Sequence, residues 1–178
     1  MVKKYDIYGL GNAMVDMAYE VDGEFLKKVG VEKGLMTLVD TKRQDDLLSK
    51  VTHLNPKRTC GGSAANTTIA VAQLGGNSFY SCKIANDEVG DFYYEDLVET
   101  GVDTNAKNRE AGTTGKCLIF ITPDADRTFN TYLGISQNFS KNELVEKSLV
   151  NSKYLYIEGY LVTSPNAREA AIYARELA

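Results

Sequence analysis

Gly61-Gly62-Ser63-Ala64-Ala65-Asn66, followed by an alanine-rich run to Leu74 and closed by Gly75-Gly76, is the stretch on which the fold of this 178-residue chain turns. Two glycines ahead of a helix remove the Cβ atoms that would hold a ligand away from the backbone. The N–H groups of a first helical turn have no partner inside the helix and favour hydroxyl or anionic oxygens. Asn66 lies one turn into that helix and brings an amide to the same side. The string suits a purely structural tight turn equally well, with Ser63 as N-cap and Asn66 in water. A glycine pair is a common helix stop, so a helix is predicted from Ala64 to Leu74.

Upstream, Tyr5-Asp6-Ile7-Tyr8 opens a strand that ends in the turn Gly9-Leu10-Gly11. Met14 to Val21 is extended, Glu24 to Val29 makes one or two helical turns, and Leu35 to Val39 is a short strand. Thr41 caps a helix through Leu47, Leu48 and Val51. Downstream, Ser78 to Ile84 is a strand, and Val89 to Thr100 a helix with Phe92, Leu97 and Val98 available for burial. Lys116 to Ile121 and Thr128 to Leu133 are strands joined by the turn Pro123-Asp124-Ala125-Asp126. Lys141 to Ser148 is a short helix, Tyr154 to Ile157 a strand, and Ser164-Pro165 starts a last helix. The alternation predicts an α/β fold with a mainly parallel sheet. Strands succeed one another without a helix only near residues 13–40 and 112–134, which predicts a small separate sheet. The last helix is not followed by the strand of a βαβ unit, so the chain reads as unfinished.

Composition narrows the function classes. Hydrophobic residues at 43% and charged residues at 25% are those of a globular protein. The net charge of -4, without a basic cluster, argues against a phosphate-backbone partner, so no nucleic acid is expected. Cys60, Cys82 and Cys117 are odd in number and widely spaced, which fits neither a disulfide framework nor a zinc site. The one histidine, His53, sits in a polar stretch, and a surface or helix-end place is expected for it. No apolar run approaches the ~18 residues of a membrane span, and no signal-type segment opens the chain; a reduced cytoplasm is the expected address.

Two nucleotide motifs fail on inspection. Gly9-Leu10-Gly11 follows a strand, but Met14 stands where the dinucleotide fingerprint needs its third glycine or alanine, which argues against a nicotinamide-dependent oxidoreductase. No GxxxxGK[ST] string exists. Asp16 is more informative: a carboxylate in a strand of apolar and small residues is an acceptor for two vicinal hydroxyls, or else an edge aspartate facing water. Glu158 ends an apolar strand, where ligands of parallel sheets gather, although a strand-end glutamate is often only partly exposed. Arg127 reads by default as a solvated charge, and Tyr154, Tyr156 and Tyr160 as packing residues.

Together these strings resemble the ribokinase-like family, also called the phosphofructokinase-B family. Its Gly-Gly-x-x-x-Asn signature is similar to Gly61-Gly62-Ser63-Ala64-Ala65-Asn66, with Gly75-Gly76 and Gly90 as the further spaced glycines. Gly11-Asn12-Ala13-Met14-Val15-Asp16 resembles its first strand, Asn86 to Gly90 its D-x-x-G segment, and Arg127-Thr128-Phe129 its arginine-bearing strand. The resemblance implies a three-layer α/β/α fold with a β-sheet lid over the substrate, contributed by about residues 13–40 and 112–134. It also implies transfer of the ATP γ-phosphoryl group, with Mg2+, to a primary hydroxyl of a sugar or nucleoside. Asn12, Asp16, Gly61, Gly62, Asn66 and Glu158 then fall at substrate-binding positions, Asn12 most weakly. The family's second signature, Gly-Ala-Gly-Asp, carries the general base and does not occur here. The resemblance therefore implies the N-terminal part of such a kinase, with its C-terminal half missing and no useful catalysis by these residues alone. Lids in this family often pair, so the resemblance implies a homodimer through the lid as one arrangement. The rival reading is a non-catalytic binding or regulatory fragment, whose exposed sheet edge would need a partner.

Overall fold

A computed structural model describes residues 3–178 and distributes the chain between two sheets. β1 (Tyr5–Leu10) starts in the first sheet, and the chain then crosses to the second for β2 (Met14–Glu20), α1 (Gly23–Lys28), β3 (Met36–Leu38), α2 (Thr41–Lys50) and β4 (Lys57–Gly61). It returns through α3 (Ser63–Gln73), β5 (Ser78–Ser81), α4 (Glu88–Glu99) and β6 (Val102–Thr104). A hairpin in the second sheet follows, β7 (Gly115–Ile121) and β8 (Arg127–Tyr132). Two 3-10 turns, Gly134–Asn138 and Lys141–Glu143, lead back to α5 (Glu146–Val150), β9 (Ser152–Ile157), a further 3-10 turn at Gly159–Thr163, and α6 (Pro165–Leu177).

The first sheet has the order β6-β5-β1-β9 and every pairing in it is parallel. The second, in the order β3-β8-β7-β2-β4, is mixed: β2–β7 and β3–β8 run parallel, β7–β8 and β2–β4 antiparallel. Side chains of a strand alternate between faces, and β5 shows the consequence. Phe79 packs with Tyr8, Leu10 and the alanines Ala167, Ala170 and Ala174 of α6 on one side. Tyr80 packs with Ala64 and Ala65 of α3 and Tyr93 and Leu97 of α4 on the other. The parallel sheet is thus the middle of three layers, the α/β/α order expected of the chain. Gly9 lets α3 lie directly on β1, since a Cβ there would come within 2.6 Å of the Thr68 methyl group.

Several local expectations need correction. Asp40, not Thr41, caps α2, its carboxylate accepting from Arg43 N at 2.8 Å. Gly62, not Ser63, is the N-cap residue of α3. In α4 the buried pair is Tyr93 and Leu97, one turn apart, whereas Val98 is 45% exposed. No continuous helix covers Lys141 to Ser148. A capping box between Ser140 and Glu143 closes a 3-10 turn, and Val145 N donates to the buried Tyr8 hydroxyl at 2.9 Å instead of to a helical carbonyl. β4 and β6 are additional strands; Lys57-Arg58-Thr59 has the polar composition of a loop and becomes a strand only through pairing with β2. Tyr154, Tyr156 and Tyr160, expected as packing residues, are 73%, 38% and 56% exposed among the described residues, on or just after β9, the last strand in the order of the parallel sheet. His53 is exposed in the turn after α2, as its polar surroundings predict.

Candidate ligand-binding site

The chain passes between the two sheets four times, at residues 11–13, 61–62, 105–114 and 133. A cavity of about 250 Å³ opens where the first two crossings meet the end of β9. Its roof is one face of the mixed sheet. Along β2, Val15, Met17 and Tyr19 belong to the apolar core, while Met14 and Asp16 line the cavity. The register sets Asp16 beside Thr59 of β4 and Cys117 of β7. It continues the row through Thr131 and Leu38, with Phe129 beside Met36. The cavity therefore has a carboxylate at one end and an apolar wall of Met36, Leu38, Phe129 and Leu133 at the other.

Asp16 is half-buried, and among the described residues none hydrogen-bonds to its carboxylate. Burial pushes its carboxyl up to about 6, with only the charge of Arg127 opposing. Its place depends on Gly61: a Cβ there would come 2.5 Å from Asp16 Cγ and 2.8 Å from Oδ2. A carboxylate with free lone pairs in a partly dry site is built to accept from donors that a ligand brings. Cys117 shares the wall, its Sγ 3.2 Å from Thr131 Oγ1. Burial raises that thiol to about 12, so it stays protonated and supplies no nucleophile.

The start of α3 forms the adjoining wall. Gly62 has φ +107°, in the region that favours glycine, and a Cβ on it would land on the Asn12 carbonyl oxygen. Asn66 is exposed and faces the cavity. Glu158 is 2% exposed and holds both crossings: Oε1 accepts from Asn12 N at 3.2 Å and Nδ2 at 3.0 Å. Oε2 accepts from Ser63 Oγ at 3.1 Å and Ala64 N at 3.3 Å. Of the residues singled out in the sequence, Asn12, Asp16, Gly62, Asn66 and Glu158 line the cavity, and Gly61 lies behind Asp16. The apolar wall, Cys117 and Tyr160 were not among them. The alternation Phe129, Thr131, Leu133 was the available signal, since period two places those three on one face.

These residues do not fit two groups implied by the family resemblance. Among the described residues no group of three His, Cys, Asp or Glu is placed to hold a metal ion, so magnesium has no ligand set here. No lysine or arginine lines the cavity, and the positive end of α3 already carries the Glu158 carboxylate, which repels a triphosphate. No helix among the described residues is long and apolar enough to cross a membrane.

In this α/β protein an unpaired carboxylate and an amide turn toward an apolar-walled cleft. The chain belongs to the pfkB family of carbohydrate kinases, whose family model matches residues 34–177. It is similar to adenosine kinase 2 of Arabidopsis thaliana, 26% identical over 168 residues that cover 88% of this chain and 47% of the relative. It is similar to the adenosine kinase of Saccharomyces cerevisiae, 29% identical over 167 residues, 89% of this chain and 49% of the relative. Among solved structures, the adenosine kinase of Sinorhizobium meliloti superposes with a TM-score of 0.90 at 35% identity, covering 98% of this chain and 53% of that one. A probable sugar kinase of Rhizobium etli gives 0.91 at 32%, covering 99% and 53%. The chain spans about half the length of these relatives.

Proposed function

We propose that these residues form the acceptor-binding part of a kinase that phosphorylates the primary hydroxyl of a nucleoside. The observation that carries this reading is the unpaired Asp16 carboxylate facing the same cavity as the apolar wall of Met36, Leu38, Phe129 and Leu133. A nucleoside has a vicinal diol at one end and a flat, weakly polar base at the other; a free sugar would leave that wall against water. Asp16 accepts from the diol, Asn66 contacts the sugar from the start of α3, and Gly61 and Gly62 let the backbone approach it. Asn12 and Glu158 close the polar end. The mixed sheet, which includes β4 as well as the strands from residues 13–40 and 112–134, is the lid. Binding removes water from the acceptor and holds its hydroxyl in place, which is most of what phosphoryl transfer asks of the acceptor side.

ATP, magnesium and the general base belong in this reading to residues outside the present sequence, which holds no Gly-Ala-Gly-Asp string. A homodimer through β3, the free edge of the lid sheet where Leu35, Met36 and Leu38 are half exposed, completes the proposal. Sedimentation velocity that returns only monomer removes the dimer alone. Calorimetric titration tests the rest. Adenosine is expected to bind, ribose and 2′,3′-dideoxyadenosine much more weakly, and adenosine mixed with ATP to remain unphosphorylated. Ribose binding as tightly as adenosine shifts the substrate class to sugars, and absence of both sinks the reading. Phosphorylation by these residues alone sinks the division of labour.

The same titration has a pH signature. The diol donates to the charged form of Asp16, so binding pulls protons off a carboxyl held at about 6. Affinity for adenosine should rise with pH through that value and level off above about pH 7, falling nearly tenfold per unit well below it. A flat profile from about pH 5 to 8 would take Asp16 out of the contact.

A further inference from the structure

Glu158 has more internal donors than a ligand-facing acid keeps. A carboxylate offers about four acceptor positions, and here two backbone N–H groups, the Asn12 amide and the Ser63 hydroxyl all point at it. Its own N–H donates to Leu10 O at 3.0 Å, anchoring it to the last residue of β1. Gly11 makes room for it: a Cβ there would come 2.7 Å from Glu158 Oε2 and 3.0 Å from its Cβ. Asn12 belongs to the first crossing between the sheets, and Ser63 and Ala64 directly follow the second. Asp16 lies four residues beyond the one and Asn66 in the first turn after the other. A single side chain fixed to the parallel sheet therefore bonds to both crossings.

We propose that Glu158 is a positioning residue that clasps the two crossings, setting Asp16 and Asn66 against each other across the cavity, and does not itself bind the acceptor. Its carboxylate also satisfies the positive end of α3, so that helix start receives a neutral hydroxyl and not a phosphate. The consequences for binding rest on the nucleoside reading above; those for the crossings do not. Direct contact with a ligand hydroxyl and a general contribution to stability are the two competing roles, and they move different measurements.

Glu158→Gln keeps the shape but turns an NH2 group toward donors. In the unliganded chain the Asn12 and Ala64 amides should exchange with solvent faster together, by about tenfold, while the amides of β7 and β8 keep their rates. Unchanged exchange at either crossing overturns the clasp, and so does uniform acceleration through both sheets, which marks a purely global effect. This readout needs no ligand, so failure of adenosine to bind would count against the nucleoside reading only. Titration with adenosine and its 2′-, 3′- and 5′-deoxy analogues then separates positioning from contact. Positioning lowers affinity for all four by one common factor, roughly three- to thirtyfold. A loss that vanishes with one analogue assigns Glu158 to that hydroxyl and overturns the proposal, as does an unchanged affinity. Should Glu158→Gln fail to fold, Asn12→Ala, which removes one side-chain donor from the clasp, is carried through the same exchange measurement, with release of Ala64 expected and its absence decisive against the clasp.

Discussion

Asp16→Asn should weaken adenosine binding by about ten- to a hundredfold while making the unliganded chain more stable. Hydrogen bonds to a charged group contribute roughly 1.5–3 kcal/mol each. Asparagine keeps one acceptor and turns a second donor toward a diol that itself donates, so at least one such bond is lost. The stability change has the opposite sign. Burial holds the carboxyl at about 6 instead of 3.8, so the fold binds more protons than the unfolded chain between those values. That contribution to stability is complete below pH 3.8 and lost as pH rises through about 6, a difference of roughly 3 kcal/mol at most. Asparagine carries no charge and avoids this loss, though its buried amide offsets part of the gain; a net rise of about 1–2 kcal/mol near neutrality is expected. Thermal melts at acid and neutral pH beside the adenosine titration check both halves. Unchanged affinity would remove Asp16 from the site, and an unchanged pH slope of stability would show that its carboxylate is better solvated than its place between Gly61 and Cys117 indicates.

Gly62→Ala should cost about 3–5 kcal/mol, a large part of a typical domain's stability. Its φ of +107° is unfavourable for alanine, and the added methyl would overlap the Asn12 carbonyl oxygen, which is backbone and cannot swing away. Gly61→Ala makes a useful contrast, because its methyl meets the Asp16 side chain, which can rotate. The first substitution should lower the urea midpoint steeply; the second should leave most stability but abolish adenosine binding by displacing the carboxylate. Wild-type affinity in Gly61→Ala, or a wild-type midpoint in Gly62→Ala, would show that the crossing tolerates a side chain where the geometry leaves none.

The same positions show which parts of the protein were legible from sequence. The helix after Gly62, its stop at Gly75-Gly76, the β7–β8 turn and the alternation of strands and helices all depend on residues within a few positions of each other. Turn chemistry and helix stops act locally, so they can be read in order along the chain. Asp16, Gly61, Gly62 and Asn66 were marked by the same kind of signal, a carboxylate in an apolar strand and glycines before a helix. β4 was not legible, because Lys57-Arg58-Thr59 has no strand pattern of its own and is extended only where β2 supplies its partners. The exposure of Tyr154 and Tyr156 was equally hidden: apolar alternation cannot distinguish a central strand from one at the edge, the position β9 takes among the described residues.

What the sequence by itself determined was the α/β class, the glycine-led helix and a short set of polar candidates around it, since these follow from local backbone preference and side-chain period. Tertiary structure alone decided where those candidates meet. Asn12 and Glu158 meet at 3.0 Å across 146 positions of chain, and the register of β2 with β7 and β8 brings Asp16, Cys117 and Thr131 into one row. Such convergence depends on the pairing of distant strands, and a shift of one residue in that pairing would turn every one of these side chains to the opposite face.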